Sequence, residues 1–269
     1  MPLFKTYRMS SSEVTLFAIG DIHYDEEACD RNNFRRAIDD ICAAGENARV
    51  ILMGDTFSFL RKTDREAMNS ALARMSSGAR DRLDDENKRQ VEEVAKLLEP
   101  LRGRVLFNLQ GNHGWTFKSG ITNEQMLAEL LGADWSDGLA HVNIVLNSYD
   151  KKKEHPAQSP SRTGTRYVKI LAHHGYGTPG SRRRSADVGH FETTLMPFFD
   201  ADIYLLGHTH DLYVSAYKPV LRLSSTSLPT QVAQYRWGAR TGSFVRGYAP
   251  GRPADYAESK LLAPALIGY

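Results

Sequence analysis

Five short motifs rich in aspartate, asparagine and histidine are spread along this chain of 269 residues. Each follows a short apolar run, and six of the nine histidines of the chain fall inside them. The motifs are Gly20-Asp21-Ile22-His23, Gly54-Asp55, Gly111-Asn112-His113, His173-His174-Gly175 and Gly207-His208-Thr209-His210. Carboxylate, amide and imidazole groups are ligands of divalent transition metals. The motifs therefore predict a hydrolytic site that holds two such ions.

The mixture of ligand types is suited to two neighbouring ions. Two dications a few ångströms apart repel each other and need an anionic bridge, which an aspartate can form and a histidine cannot. Imidazole mixed with hard oxygen ligands favours Mn, and then Fe, Zn, Co or Ni, over Mg or Ca. A pair of ions about 3.5–4 Å apart holds a bridging hydroxide as nucleophile and stabilises both the attacking and the leaving oxygen. We therefore expect hydrolysis of phosphate monoesters or diesters.

The order of the motifs resembles that of the calcineurin-like metallophosphoesterase superfamily, whose pattern reads D-x-H, GD, GNH, a His and GHxH. The resemblance spans residues 14–210, and residues 256–269 resemble the tails of stand-alone members from phages and prophages. It implies four ligands for the first metal: Asp21, His23, Asp55 and His210. It implies four ligands for the second metal: Asp55 as the bridge, Asn112, His208 and one histidine of the fourth motif, either His173 or His174.

Two further assignments concern histidines. In the family, the middle His is followed either by Gly, which matches His174, or by a variable residue and Pro, which matches His173. Because Gly175 follows directly and Pro179 comes too late, His174 is the favoured ligand, and the other histidine is expected beside the metals. The resemblance implies that His113 is not a ligand and instead protonates the leaving oxygen or holds the phosphate.

The chain departs from the family pattern near His113. Many relatives carry a second aspartate three residues after GD, and in the phosphoprotein phosphatases it hydrogen-bonds the catalytic histidine; here that position is Ser58. Gly114 also replaces an acidic residue that follows GNH in those relatives. A carboxylate partner fixes the tautomer of a histidine and favours its protonated form. Asp25 and Asp211 are candidates for that role.

The phosphate-binding arginines of the phosphoprotein phosphatases are missing, because Phe59 and Gln110 stand at their positions. A protein Ser/Thr phosphatase is therefore disfavoured. Arg182 and Arg183 follow a glycine- and proline-rich turn after the middle histidines and are candidates for binding the substrate phosphate, since a guanidinium group matches phosphate oxygens with a bidentate fork. An exposed basic segment leading into a helix is the alternative interpretation.

Three functions remain open at this point. The favoured one is a phosphatase or phosphodiesterase acting on a phosphate ester such as a nucleotide. The second is a nuclease acting on DNA or RNA, which needs a basic groove; the Lys151 and Arg182 clusters are its only support. The third is a binding module whose metal site is occupied but slow. The intact His113 and the full ligand set argue against that module, whereas Ser58 keeps it open.

Composition agrees with one enzyme domain that has a well-buried core, since 41% of the residues are hydrophobic and 25% are charged. A formal net charge of +2 is too small to indicate nucleic-acid binding. No apolar run approaches the roughly 20 residues of a membrane span, and the run at 14–19 is too short for a signal-peptide core. Two cysteines, Cys29 and Cys42, do not make a disulfide framework. We expect a cytoplasmic protein with no membrane partner.

Apolar periodicity and capping residues predict an α/β fold. The predicted strands are 14–20, 49–54, 104–110, 141–147, 166–172, 203–207, 212–217 and 220–223. The predicted helices are 30–44, 66–75, 80–99, 122–132 and 186–199. The resemblance implies two sheets packed face to face as a β-sandwich flanked by helices, four layers in all. The whole chain, 1–269, is expected to form one domain, with a motif core at 14–225 and a C-terminal segment at 226–269 packing on it.

Overall fold

A computed structural model describes residues 1–59, 70–71, 74–147, 166–176, 189–223, 231–248, 258 and 267–269. The strands are β1 Leu3–Met9, β2 Thr15–Ile19, β3 Ala48–Leu52, β4 Val105–Leu109, β5 Asp134–Ser136, β6 Leu139–Leu146, β7 Arg166–His173, β8 Ile203–Leu206, β9 Leu212–Leu223 and β10 Gln231–Thr241. The α-helices are α1 Arg31–Ala43, α2 Ser77–Leu97 and α3 Asn123–Leu131. A 3₁₀-helix spans Glu99–Leu101 and a π-helix spans Phe191–Leu195.

The strands form two sheets. One is mixed and has six strands in the order β1-β6-β7-β8-β10-β9, and the other has four strands in the order β2-β3-β4-β5. All pairs of the four-stranded sheet are parallel, whereas in the six-stranded sheet β6 with β7 and β10 with β9 are antiparallel. The predicted α/β class with two sheets is confirmed.

The four-stranded sheet is buried on both faces, which is usual for parallel strands. Along β3, Val50 and Leu52 pack in the same cluster as Phe34 of α1, whereas Ile51 between them packs in a second cluster with Ile144 of β6. Alternate side chains of one strand therefore contact the helices on one side and the six-stranded sheet on the other.

The helices begin where the sequence places capping residues. Asp30 accepts a hydrogen bond from the backbone N–H of Asn33 at 3.1 Å and caps α1, and Thr122 caps α3 through the N–H of Gln125 at 3.1 Å. Gly132 ends α3 in the left-handed conformation, with φ 69°. These bounds lie close to the predicted ones because caps and stops are local signals.

The six-stranded sheet differs from prediction in its second half. The two strands predicted at 212–217 and 220–223 are one edge strand, β9, and Pro219 lies where its pairing with β10 is irregular, between Tyr217 and Val220. Strand β10 was predicted as part of a segment packing on the core, but it lies inside the sheet between β8 and β9. The burial of this strand is the reverse of the usual pattern: Tyr235 and Trp237 are exposed on one face, whereas Arg240 is buried on the other.

Several predicted segments fall outside the described residues. The helix predicted at 66–75 is one of them for most of its length, as is the beginning of the helix predicted at 186–199, of which residues 189–195 are helical. Within the described ranges, no helix has both the length and the apolar character that crossing a membrane requires.

Candidate metal centre

The motif residues follow the carboxyl ends of five strands. Asp21 comes after β2, Asp55 after β3, Asn112 after β4 and His208 after β8, while His173 is the last residue of β7. Since β2, β3 and β4 are parallel neighbours, and β7 and β8 are parallel neighbours in the other sheet, these ends meet at corresponding edges. The topology thus brings motifs that are distant in sequence into one region.

Six of the predicted ligands form two groups of facing side chains. The first group contains Asp21, His23 and His210, and the second contains Asp55, His174 and His208. In each group, one ligand atom from every residue lies within 4.8 Å of the others. Both carboxylates are fully buried. Each group has the composition and spacing to hold a metal ion.

Asn112 joins the second group through its side-chain oxygen. Its Oδ1 lies 2.8 Å from Nε2 of His174 and 2.7 Å from Nδ1 of His208. His173 lies outside both groups, and its Nδ1 accepts a hydrogen bond from the backbone N–H of Gly175 at 2.8 Å. Of the two middle histidines, the structure therefore places His174 with the other predicted ligands.

The backbone at these residues is unusual. Of the described residues other than glycine, six have a positive φ, and five of the six are candidate ligands: Asp21, His23, Asp55, His208 and His210, with φ from 48° to 71°. Positive φ is uncommon outside glycine. Such conformations persist where the surrounding structure fixes them, and they cluster at functional sites.

Two glycines allow the second and third motifs to approach each other. A Cβ on Gly111 would lie 1.9 Å from Oδ1 of Asp55, and a Cβ on Gly54 would lie 2.7 Å from the backbone nitrogen of Gly111. Gly54 also has a φ of +88°. The two motifs therefore need glycine for steric reasons that do not depend on any bound group.

Backbone N–H groups orient the two buried carboxylates. Oδ1 of Asp55 accepts a hydrogen bond from the N–H of His113 at 2.8 Å, and Oδ2 of Asp21 accepts one from the N–H of His208 at 2.8 Å. The second oxygen of each carboxylate is buried and faces a histidine of its own group, at 3.0 Å for Asp55 and His174 and 3.5 Å for Asp21 and His210, whereas Nε2 of His23 is buried without a hydrogen bond. Buried polar atoms are nearly always satisfied, and an ion is one explanation for those that are not.

The charges of the site favour a cation. Burial lowers the pKa of His174, but the carboxylate of Asp55, with its Oδ2 3.0 Å from Nε2 of His174, outweighs burial and raises the pKa to about 10. Burial raises the pKa of Asp55, but His174 outweighs that effect and lowers it. His210 and Asp21 show the same pair of shifts. The buried carboxylates therefore favour positive charge, and the donor atoms around them could hold a metal ion.

The pKa of His23 shifts in the opposite direction from those of His174 and His210. Burial lowers its pKa to about 4, so its imidazole stays neutral at physiological pH. A neutral imidazole is the form that binds metals. Its ring lies edge-on to that of His113, with centroids 5.0 Å apart.

Ser58 and Gln110, two residues that differ from the family pattern, form hydrogen bonds in the structure. Ser58 forms a hydrogen bond with His23, and Oδ1 of Asp25 accepts one from the N–H of Ser58 at 2.6 Å. Gln110 accepts a hydrogen bond from the hydroxyl of Thr122 at 2.6 Å. The predicted phosphate-binding residues, Arg182 and Arg183, lie outside the described residues.

Three residues that no motif indicated also contact the site. Glu124 is fully buried and accepts hydrogen bonds from Thr56, the residue after Asp55. Ser243 donates to the backbone oxygen of Asp21 at 2.9 Å, and Arg240 donates to that of Gly207 at 3.2 Å. These residues contact the backbone of a motif residue or the residue next to one. Such contacts produce no characteristic spacing in the sequence.

No protein-family model matches the chain, and no curated protein matches it either. The case for a function therefore depends on the motifs and on the geometry that they adopt.

Proposed function

We propose that this protein is a phosphoesterase that uses two divalent transition-metal ions, with manganese as the first choice, to hydrolyse phosphate monoesters or diesters. One observation carries the proposal: six predicted ligands from four separate motifs form two groups, and within each group the ligand atoms lie within 4.8 Å of one another. Five of these six residues share the uncommon positive φ.

The order of the layers supports the proposal that the fold is of the calcineurin-like type. Helices α1 and α2 cover one face of the four-stranded sheet, and the six-stranded sheet packs on the other. On the far face of the six-stranded sheet, Phe191 of the π-helix packs with Tyr204 of β8. This succession of helix, sheet, sheet and helical segment agrees with the four-layer sandwich that the resemblance implies.

Each residue has a role in this proposal. Asp21, His23 and His210 would hold the first ion, Asn112, His174 and His208 would hold the second, and Asp55 is the proposed ligand of both. When bound, the two ions supply Lewis acidity for the phosphate and activate water as the nucleophile. His113, whose backbone N–H donates to Asp55 and whose ring lies edge-on to that of His23, would donate a proton to the leaving oxygen or hold the phosphate.

The test compares hydrolysis of p-nitrophenyl phosphate and bis-p-nitrophenyl phosphate by metal-stripped protein reloaded with Mn²⁺. Turnover of either substrate that is lost in Asp55→Asn and kept in Asp39→Asn, an exposed aspartate of α1, is the expected result. Faster diester cleavage directs the search to nucleotides and nucleic acids, and faster monoester cleavage to a phosphatase. Absence of turnover with two ions bound contradicts the proposal and favours a binding module.

A further inference from the structure

The hydroxyl of Ser58 is shared by two side chains. It donates a hydrogen bond to Oε1 of Glu26 at 2.5 Å, and it is also hydrogen-bonded to Nδ1 of His23. Glu26 and His23 do not contact each other closely, since Oε1 and Nδ1 are 3.8 Å apart. Ser58 therefore connects a carboxylate to the imidazole of a candidate ligand.

The direction of these hydrogen bonds follows from the number of protons. A serine hydroxyl has one hydrogen and two lone pairs. Because Ser58 donates its hydrogen to Glu26, it can offer only a lone pair to His23. Nδ1 of His23 must then carry the hydrogen of that contact, and in a neutral imidazole Nε2 is left with a lone pair. Nε2 is buried and has no hydrogen-bond partner.

The local backbone fixes this arrangement. The N–H of Glu26 donates to the backbone oxygen of His23 at 2.9 Å, so the turn after the first motif returns Glu26 toward the ligand. Asp25, in the same turn, holds the backbone N–H of Ser58. The hydroxyl is thereby positioned from two sides. The turn thus brings the carboxylate of Glu26 to position 58, whose own side chain has none, and Ser58 links it to His23.

We propose that Glu26 is a positioning residue that acts through Ser58 to hold His23 as the tautomer with hydrogen on Nδ1, so that Nε2 is available to the first metal. This inference rests on the proposed function only in treating His23 as a ligand; the tautomer itself is a property of the metal-free protein. A partner of this kind on the second nitrogen orients a metal-binding imidazole and raises its basicity.

The first test is spectroscopic and needs no metal. Long-range ¹H–¹⁵N correlation spectra of metal-stripped protein labelled on histidine report which ring nitrogen carries hydrogen, and His23→Gln identifies the His23 signals. We expect the Nδ1–H tautomer in the unaltered protein. A predominant Nε2–H tautomer overturns the proposal, and this result requires no variant to fold.

The second test compares variants. Glu26→Gln lets an amide N–H donate to Ser58, which frees the hydroxyl to donate to His23, and Ser58→Ala removes the link. Both are expected to increase the Nε2–H form and to weaken Mn²⁺ binding by about 10–100-fold. Ser58→Thr, which keeps the hydroxyl, and Glu27→Gln, at an exposed neighbour, are expected to retain the tautomer and the affinity.

The positioning role of Glu26 and the proposed function can be disproved separately. If Glu26→Gln and Ser58→Ala leave both the tautomer and the affinity unchanged, the positioning role is wrong while the metal site stands. If the tautomer changes as expected but the unaltered protein binds no Mn²⁺ and hydrolyses no ester, the positioning of His23 by Glu26 through Ser58 stands and the proposed function is wrong.

Discussion

The backbone N–H of His113 donates to Oδ1 of Asp55 at 2.8 Å, so the candidate proton donor and the candidate bridging ligand are joined through the main chain of one and the side chain of the other. Replacing the imidazole of residue 113 leaves this hydrogen bond in place. Replacing the carboxylate of residue 55 disturbs both the metals and the loop. The two residues should therefore be separable by measuring metal content and turnover together.

Asp55→Asn is expected to lower metal content from two ions per chain to one or none and to abolish hydrolysis. An amide is neutral and cannot bridge two dications, although it can still accept the hydrogen bond from His113. Elemental analysis of the purified variant and a p-nitrophenyl phosphate assay test this together. Activity that survives in the variant excludes the bridging role, and Asp39→Asn serves as the matched control.

His113→Ala is expected to keep two ions and to slow hydrolysis of alkyl phosphates by about 10²–10⁴-fold, the usual range for loss of a general acid. The loss should shrink with p-nitrophenol as leaving group, because that group needs little protonation to depart. Steady-state kinetics on the two substrates give the comparison. Equal losses on both substrates would leave phosphate positioning as the only role of His113.

Gly111→Ala is expected to lower the free energy of unfolding by about 1–3 kcal/mol, the usual cost of overpacking. The added Cβ would lie 1.9 Å from Oδ1 and 2.3 Å from the backbone nitrogen of Asp55, and the backbone cannot move away cheaply. Denaturant unfolding of metal-free protein measures the change. Gly138→Ala, where nothing lies within 4 Å, is the control and should change stability by about 0.5 kcal/mol or less.

Glu124 should give the metal-free protein a pH-dependent stability. Burial raises its pKa from 4.5 to about 7, against hydrogen bonds from Asn108 and Thr56 that lower it. Below pH 4.5 the carboxyl is protonated in both states. As the pH rises toward 7, the unfolded chain loses this proton first, so the contribution to stability falls by up to about 3 kcal/mol and is lost above pH 7.

Comparison of the unaltered protein with Glu124→Gln isolates this effect, because glutamine does not titrate. The difference in the free energy of unfolding, measured in urea from pH 4 to 8, should decline with rising pH and then level off. Glu129→Gln, at an exposed position of the same helix, should show no such trend. A difference that is constant or that rises with pH would mean that the native carboxyl of Glu124 has a pKa no higher than that of the unfolded chain.

The ligand groups were predictable because their signals are short and local. Each motif joins an apolar strand to polar residues at its carboxyl end, and parallel strands bring those ends together. Capping residues such as Asp30 and Thr122 likewise located helix starts. The motifs did not indicate the positive φ of Asp21 and four other candidate ligands. In a sequence, glycine is the main sign of a left-handed backbone conformation.

The remaining differences come from contacts between distant parts of the chain. Strand β10 lies between β8 and β9 in the six-stranded sheet. Its own polar sequence does not indicate this pairing. Ser243, just beyond that strand, reaches the backbone of Asp21 across more than 200 positions in the sequence. Glu26 and Ser58 are 32 positions apart, and only the folded turn shows that one serves the other.

The most direct test of the central claim is a titration of metal-stripped protein with Mn²⁺ while hydrolysis of p-nitrophenyl phosphate and its diester is followed. A site that needs both ligand groups should gain turnover only as the second ion binds and should reach its maximum at two equivalents per chain. Maximal turnover at one equivalent, or no turnover at any ratio, would contradict a two-metal phosphoesterase.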